Sequence, residues 1–326
     1  MTAHPCALER EKERALLRGT DRRRHDDVHG YERIRTPGSR VRRMDDRLRR
    51  LWDFDDLDGS ERRLRTQLDK ETSVDGRAEV LTQLARVAGL RGDFGAADEL
   101  LDEAGGLADE HGLARIRIDL ERGRVRRSSG DPEAARPLFE SAYALALEEQ
   151  QHFIAADAAH MVALVAPDRA AFVEWTNRGI EVAETHEAAA YWVGPLLNNV
   201  GWEHYEAGDI DLALDAFERA LLARERDPSN GDGLALARYA VGKALRALGR
   251  SDDGVPLLEL AVEWSERAGA PDGWFHEELG EEYAAVGRAD DARTQARLAI
   301  PLLETADPSF ARDTERTARL HDLAGE

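Results

Sequence analysis

Small residues recur at intervals of about 40 along this 326-residue chain, and this recurrence limits the fold more than any other feature of the sequence. Six times, a small residue marks a predicted turn, with another small residue seven positions before it and a third five positions after it. A glycine just past the end of a helix adopts the left-handed conformation that terminates the helix. The pattern therefore predicts six pairs of helices, each joined by a tight turn. The six turn residues are Gly92, Gly130, Ala166, Gly208, Gly249 and Gly287.

The same spacing predicts how the two helices of a pair contact each other. In the fourth pair, Gly201 on the first helix faces Ala213 on the second, so that the backbones approach closely, and Phe217 fills the space beside them. One pair cannot bury its apolar face alone, so neighbouring pairs must stack. The expected fold class is all-α, with a core that continues from one pair to the next.

The spacing small-x6-Gly-x4-Ala-x3-Phe-x2-Ala resembles the tetratricopeptide repeat. Successive turns lie 36 to 42 residues apart, whereas the usual repeat has about 34 residues, and longer units of this kind are similar to those of kinesin light chains. The third unit departs from the pattern, because it has Ala166 at the turn and Arg178 where the other units have alanine. The resemblance implies helix-turn-helix repeats stacked into a right-handed superhelical solenoid.

The repeat pattern predicts where the units begin and end. After the last unit, the segment from Ser309 to Leu323 is polar on one side, as expected of a C-terminal capping helix at about 308–324. The six units are expected at about 77–112, 115–150, 152–186, 193–228, 234–269 and 272–305.

A degenerate first unit or N-terminal cap is expected over residues 44–72. Met44, Leu48 and Leu51 would lie on its first helix, and Ser60 would be the N-cap of its second helix.

Residues 1–43 lack the helical pattern of the rest of the chain. They are expected to form a disordered tail. Alternatively, Met44 is the true start of the protein and the preceding residues are an annotation artefact; both interpretations stay open.

The charge of the chain is unevenly distributed. The formal net charge is −20, made of 12 basic and 7 acidic residues in the first 43 positions and of 33 basic and 58 acidic residues in the rest. Such an acidic body disfavours nucleic-acid binding by the main fold. No apolar run approaches the ~20 residues of a membrane span, and no signal segment is visible, so a soluble, cytoplasmic protein is expected. Arginines far outnumber lysines, as in proteins of high-GC bacteria.

Motifs for catalysis or metal binding are not found. His276 is followed by two glutamates, but glycine stands at position 280, where a zinc-peptidase helix needs its second histidine. The acidic stretch DFDDLDG at 53–59 lacks the ligand spacing of a calcium loop. His25 and His29 are four residues apart in an arginine-rich segment, which is weak evidence for a metal site. The single cysteine, Cys6, excludes a cysteine cluster. We therefore expect no enzyme activity, no metal and no cofactor.

The resemblance implies that the first helices line a concave groove, with five positions of each unit pointing into it. Arginine and aromatic residues are typical of binding surfaces, and an asparagine in the place of Asn199 would hydrogen-bond the main chain of an extended peptide. Asp157, Glu277 and Glu278 also fall on this surface. The predicted groove residues are Arg124, Arg127, His160, Asn198, Asn199, Trp202, Tyr205, Tyr239, Lys243 and Arg246.

Other roles for these residues stay open. Trp202 and Tyr205 could pack between neighbouring first helices, and Arg124 and Arg127 could be solvated or paired with acidic neighbours. The family's carboxylate clamp for chaperone C termini does not carry over, because only Asn199 of its residues is present.

The sequence thus favours a non-enzymatic protein–protein interaction scaffold or adapter that binds a peptide or helix of a partner. The alternative is a ligand- or peptide-responsive regulatory protein of a transcription or signalling pathway. No helix-turn-helix DNA-binding motif precedes the repeats, which weakens that alternative. The sequence names neither the partner nor the oligomeric state.

Overall fold

The structure, a computed structural model, describes residues 47–54, 56–226 and 230–326. Within these ranges it consists of α-helices, short 3₁₀ helices and turns, with no β-strand, so the all-α prediction is confirmed. The helices are α1 (Leu57–Lys70), α2 (Val74–Leu90), α3 (Phe94–Leu107), α4 (Leu113–Ser128), α5 (Pro132–Glu148), α6 (His152–Leu164), α7 (Arg169–Thr185), α8 (Val193–Glu206), α9 (Ile210–Glu225), α10 (Gly231–Ala247), α11 (Ser251–Arg267), α12 (Gly273–Ala285), α13 (Ala289–Ala306) and α14 (Thr314–Ala324).

Five of the six predicted turn residues have the expected backbone conformation. The φ angles of Gly92, Gly130, Gly208, Gly249 and Gly287 are 79°, 95°, 83°, 71° and 80°, which only glycine adopts without strain. Six consecutive helix pairs, from α2–α3 to α12–α13, lie at the positions of the predicted units; the boundaries of these units as repeats stay a prediction.

Aspartates begin the second helices of the first three pairs. The side chains of Asp93, Asp131 and Asp168 each accept a hydrogen bond from a backbone N–H in the first turn of the helix that follows. Because these N–H groups have no partner inside the helix, such a cap stabilises the helix start by about 1 kcal/mol.

The small residues of the first helices make room for large side chains of the second. A Cβ atom at Gly201 would lie 2.4 Å from Cε1 of Phe217, and a Cβ atom at Gly123 would lie 2.4 Å from Cε1 of Phe139. Both phenylalanines are fully buried. The predicted contact between small and large residues is therefore confirmed in these two pairs.

The pair α6–α7 differs from the prediction. Four residues, 165–168, separate its helices, where three separate α4 from α5, and the buried face of α7 is displaced by one residue. Thr176 and Gly179 are buried, whereas Trp175 is half-buried and Arg178 is exposed. By the spacing of the other pairs, in which Phe139 and Phe217 stand nine residues after the turn, Trp175 is expected to fill the core of this pair, and this expectation was wrong. Its ring instead lies 5.3 Å from that of Tyr143, edge to face, with the Arg178 guanidinium 4.4 Å from its centre.

The start of the described chain also corrects the prediction. Leu51 belongs to a 3₁₀ turn at Arg49–Leu51, and Leu48 directly precedes this turn, so neither residue lies on an α-helix. The N-cap of α1 is Asp56, which accepts from the N–H of Gly59. Ser60 lies inside α1, where its hydroxyl is buried and bonded to the main chain of Asp53. Met44 and the predictions for residues 1–43 lie outside the described residues.

The C-terminal helix is shorter than predicted. A 3₁₀ turn at Phe310–Arg312 comes first, and α14 begins at Thr314 with Asp313 as its N-cap.

The described residues form two compact units, 47–196 and 197–326, here called the N-terminal and the C-terminal unit. Trp192, Phe139 and Leu101 are fully buried in the N-terminal unit, and Phe217 and Leu258 in the C-terminal unit. Each unit therefore has a core of its own. No helix within the described ranges has the length and apolar character needed to cross a membrane.

Candidate partner-binding surface

In the N-terminal unit, the predicted groove residue Arg124 is part of an ion-pair network. It lies on α4, and its Nη2 atom donates to both carboxylate oxygens of Asp157 on α6, at 2.6 and 2.7 Å. Its Nη1 atom donates to Glu121 at 2.5 Å. Burial alone would raise the pKa of Asp157, but the cations of Arg124 and Arg86 outweigh it and lower this pKa. Asp157 is therefore ionised and holds Arg124 in place.

A second arginine extends the network to the preceding first helix. Arg86 on α2 donates to Glu121 at 3.3 Å, and its guanidinium lies 5.8 Å from the ring centre of Trp52 and 5.7 Å from that of Phe54. Burial and the neighbouring Arg124 lower the pKa of Arg86 to about 10, which leaves it charged at neutral pH. Ion pairs thus connect the first helices α2, α4 and α6 in sequence.

His160, also predicted to line the groove, is buried on α6 and only 3% exposed. Its ring centre is 5.6 Å from that of Trp192. Burial lowers the pKa of His160 to about 4, against the opposing effect of Asp157, and the cations of Arg127 and Arg124 lower it further. The imidazole is therefore neutral at pH 7, and it lies within the fold. Arg127 is half-buried beside it.

In the C-terminal unit, aromatic rings follow one another across three first helices. The ring centre of Trp202 on α8 lies 6.1 Å from that of Tyr239 on α10, which in turn lies 5.2 Å from that of Phe275 on α12. Trp202 also packs against Tyr205 at 5.6 Å and against Phe217 at 5.0 Å. Trp202 and Tyr205 are half-buried and Tyr239 is buried. Trp202 therefore packs between first helices and keeps part of its surface exposed.

Lys243 and Arg246 on α10 share one carboxylate on α12. Lys243 Nζ lies 2.7 Å from Oε2 of Glu278, and Arg246 Nε donates to Oε1. The side chains of the two cations are 25% and 30% exposed, whereas that of Glu278 is 2% exposed. Burial would raise the pKa of Glu278, but the two cations lower it to about 2. The outer surface of this group consequently presents two cations, and their counter-charge lies beneath them.

The two predicted asparagines lie on α8. Asn198 and Asn199 are both half-buried. The Oδ1 atom of Asn198 is buried and has no hydrogen-bond partner among the described residues. Their role in binding stays a prediction.

The structure brings the predicted residues together within each unit. In the C-terminal unit Trp202, Tyr205, Tyr239, Lys243 and Arg246 lie on adjoining first helices. In the N-terminal unit, Arg124 and His160 are largely enclosed.

Asp157 and Glu278 were predicted on the same surface but without their partners, and Arg86 and Glu121 were not predicted. A signal exists in the spacing. Basic residues of one unit are followed by their acidic partners 32 to 35 residues later in the pairs Arg86–Glu121, Arg124–Asp157, Lys243–Glu278 and Arg246–Glu278.

No family model matches the chain, and no curated protein is significantly similar to it in sequence. Solved structures are similar in fold. Apo RapI matches with a TM-score of 0.65 at 15% identity, over 83% of this chain and 77% of that one. A signal transduction ATPase with numerous domains from Pyrococcus horikoshii, which has a tetratricopeptide repeat sensor, matches with a TM-score of 0.63 at 15% identity, over 85% of this chain and 43% of that one.

A Rap protein solved in complex with competence and sporulation factor matches with a TM-score of 0.51 at 14% identity, over 82% of this chain and 81% of that one. At these identities the likenesses establish the arrangement of helices and leave the ligands of this chain to be determined.

Proposed function

The chain has the fold of a tetratricopeptide-repeat protein, and on that premise we propose that it is a non-enzymatic scaffold or adapter whose first helices bind a segment of another protein. The observation that carries the proposal is the surface of the C-terminal unit formed by Trp202, Tyr205, Lys243 and Arg246, here called the α8–α10 surface. It combines partly exposed aromatic rings with two partly exposed cations, a composition enriched in the residues that dominate binding energies.

The cations of the α8–α10 surface are held in place before any partner arrives. Glu278 fixes both Lys243 and Arg246 from below, and Trp202 is fixed by Phe217 and Tyr239. Side chains that are already ordered lose little conformational entropy on binding, which favours affinity. This geometry supports the α8–α10 surface, rather than an average exposed face of the protein, as the site that binds the partner.

The two asparagines of α8, Asn198 and Asn199, provide the hydrogen-bonding groups that an extended segment needs. A side-chain amide can both donate to a main-chain carbonyl and accept from a main-chain N–H. In Asn198, Oδ1 has no partner within the described residues, so an N–H group of a bound segment would satisfy it after rotation of the amide. Asn199 is proposed to contact the main chain of the same segment.

The kinesin-light-chain character of the repeats stays a prediction.

The proposal includes a bacterial source and a cytoplasmic location. The single cysteine supports the cytoplasmic location, and the arginine-rich composition supports the bacterial source.

Site-specific photocrosslinking in the native host tests the proposal. A benzophenone amino acid replaces Tyr205 in one full-length variant and Leu222, which is 53% exposed on the second helix α9, in a control variant. We expect a specific crosslinked protein from position 205 and not from position 222. The same products from both positions, or products from position 222 alone, would place the partner elsewhere.

A second candidate function is ligand-responsive regulation. It is favoured by the likeness to a Rap protein that was solved with competence and sporulation factor. Contacts in repeat proteins are made mainly between neighbours, so a ligand can alter their pitch. Small-angle scattering of the full chain with and without peptide fractions of the host culture tests this version. A scattering curve that no fraction changes would count against it.

A further inference from the structure

One carboxyl group in the C-terminal unit is buried without a counter-charge bonded to it. Glu282 on α12 has a relative exposure of 0%, and neither Oε1 nor Oε2 has a hydrogen-bond partner of acceptable geometry among the described residues. A Cβ atom added to Gly254 on α11 would lie 2.3 Å from Oε1 of Glu282 and 3.3 Å from the carbonyl oxygen of Gly242 on α10. The carboxyl group therefore lies against the backbone of α11 at Gly254, which itself approaches the backbone of α10.

The polar and charged groups around Glu282 do not offset the cost of burying its ionised form. Burial is the main influence and raises its pKa. Ser251 on α11 and Arg246 on α10 favour the ionised form, whereas Glu278, one turn earlier on α12, and Asp252 on α11 oppose it. The balance raises the pKa of Glu282 to about 7. Burial therefore costs the ionised carboxylate more than its interactions with Ser251 and Arg246 recover.

The cation that favours ionisation of Glu282, Arg246, is already bonded to Glu278. Glu278 and Glu282 are four residues apart and so lie on the same face of α12. Ionisation of Glu282 would place two carboxylates in competition for Arg246. The protonation state of a buried residue is in this way connected to one of the cations of the α8–α10 surface.

We propose that Glu282 is a proton-linked latch of the C-terminal unit. In its uncharged form it lets α12 pack closely against α10 and α11, and in its ionised form it loosens this packing and draws Arg246 away from Glu278. The inference rests on the packing of Glu282 and holds whether or not the α8–α10 surface binds a protein.

Carbon-13 NMR of the full-length wild type, labelled at the glutamate carboxyl carbons, tests the titration without any substitution. We expect one carboxyl resonance to titrate near neutral pH, far above the others. Titration of every glutamate below about pH 5 would overturn the proposal, since the ordinary pKa of glutamate is about 4.3.

Urea unfolding from pH 5 to pH 8 tests the latch by comparing the wild type with Glu282→Gln and Glu282→Met. One of these two variants is enough for the comparison, provided that it folds. Because Glu282 holds a proton in the native state that it releases in the unfolded state, its contribution to the stability of the wild type should fall as pH rises. We expect its unfolding constant to rise by on the order of tenfold or more relative to either variant. Glu304→Gln, an exposed glutamate on α13, is the control and should follow the wild type. Parallel curves for the wild type and the Glu282 variants would overturn the proposal.

Discussion

Arg124 holds Asp157, a residue of the next helix pair, through two hydrogen bonds of 2.6 and 2.7 Å. The two residues are 33 positions apart in the sequence, close to one repeat length. Their side chains are only 14% and 11% exposed. A pair of this kind is a poor candidate for direct partner contact and a good one for fixing the distance between adjacent first helices.

Replacement of Arg124 by methionine should destabilise the protein strongly. The change would leave Asp157 buried without its main counter-charge, and breaking a buried pair in this way costs about 3–5 kcal/mol. The double variant Arg124→Met/Asp157→Leu removes both charges and should recover most of the loss. Urea unfolding of the three proteins measures this difference. Equal stabilities for the single and the double variant would contradict a structural role for the pair.

Gly201→Ala should destabilise the C-terminal unit by about 1–3 kcal/mol, because the new methyl group would overlap the fully buried ring of Phe217. The matched control is Gly105→Ala. Gly105 lies inside α3, and the place that its Cβ would take has no neighbouring group within 4 Å outside its own turn of helix, so alanine should stabilise the protein by about 0.5–1 kcal/mol. Opposite signs of the two effects in thermal unfolding would support the packing described. A stabilising Gly201→Ala would refute it.

His160 should contribute a loss of stability in mild acid. Its pKa is lowered to about 4 in the folded state and is about 6.5 when unfolded. Between these values the unfolded state binds the proton more readily, so stability is present above pH 6.5 and is lost as pH falls toward 4. We expect His160 to contribute a loss of about 1–2 kcal/mol between pH 7 and pH 5, measured as the difference in pH dependence between the wild type and His160→Gln. The exposed control His111→Gln should keep the pH dependence of the wild type. Urea unfolding at the two pH values decides, and the same pH dependence in the wild type and His160→Gln would exclude the assignment.

The pairing of helices was predictable because it depends on local chemistry. Gly130 and Gly208 end helices by their own conformation, and Gly201 leaves space for Phe217 within the same hairpin. The turn of the third pair was not, since Ala166 carries no such conformational preference, and the extra residue moved Trp175 out of the core.

The surface was only partly predictable. Periodicity placed Trp202, Lys243 and Arg246 on first helices, as the structure has them. It could not assign the ion pairs, because the partner of Lys243 lies 35 residues away and such a choice depends on packing between units. The burial of Glu282 likewise depends on the backbone of α11 at Gly254, which approaches its carboxyl group only in the folded chain.

The most direct test of the central claim is isothermal titration of the partner segment, identified by crosslinking at position 205, into the full-length protein and its Asn199→Ala variant. Asn177→Ala, an exposed asparagine on α7, is the matched control. We predict that Asn199→Ala weakens binding by ~1–3 kcal/mol, the cost of a desolvated partner group left unpaired, while the control binds like the wild type. Equal affinities for all three proteins would contradict the proposed binding surface.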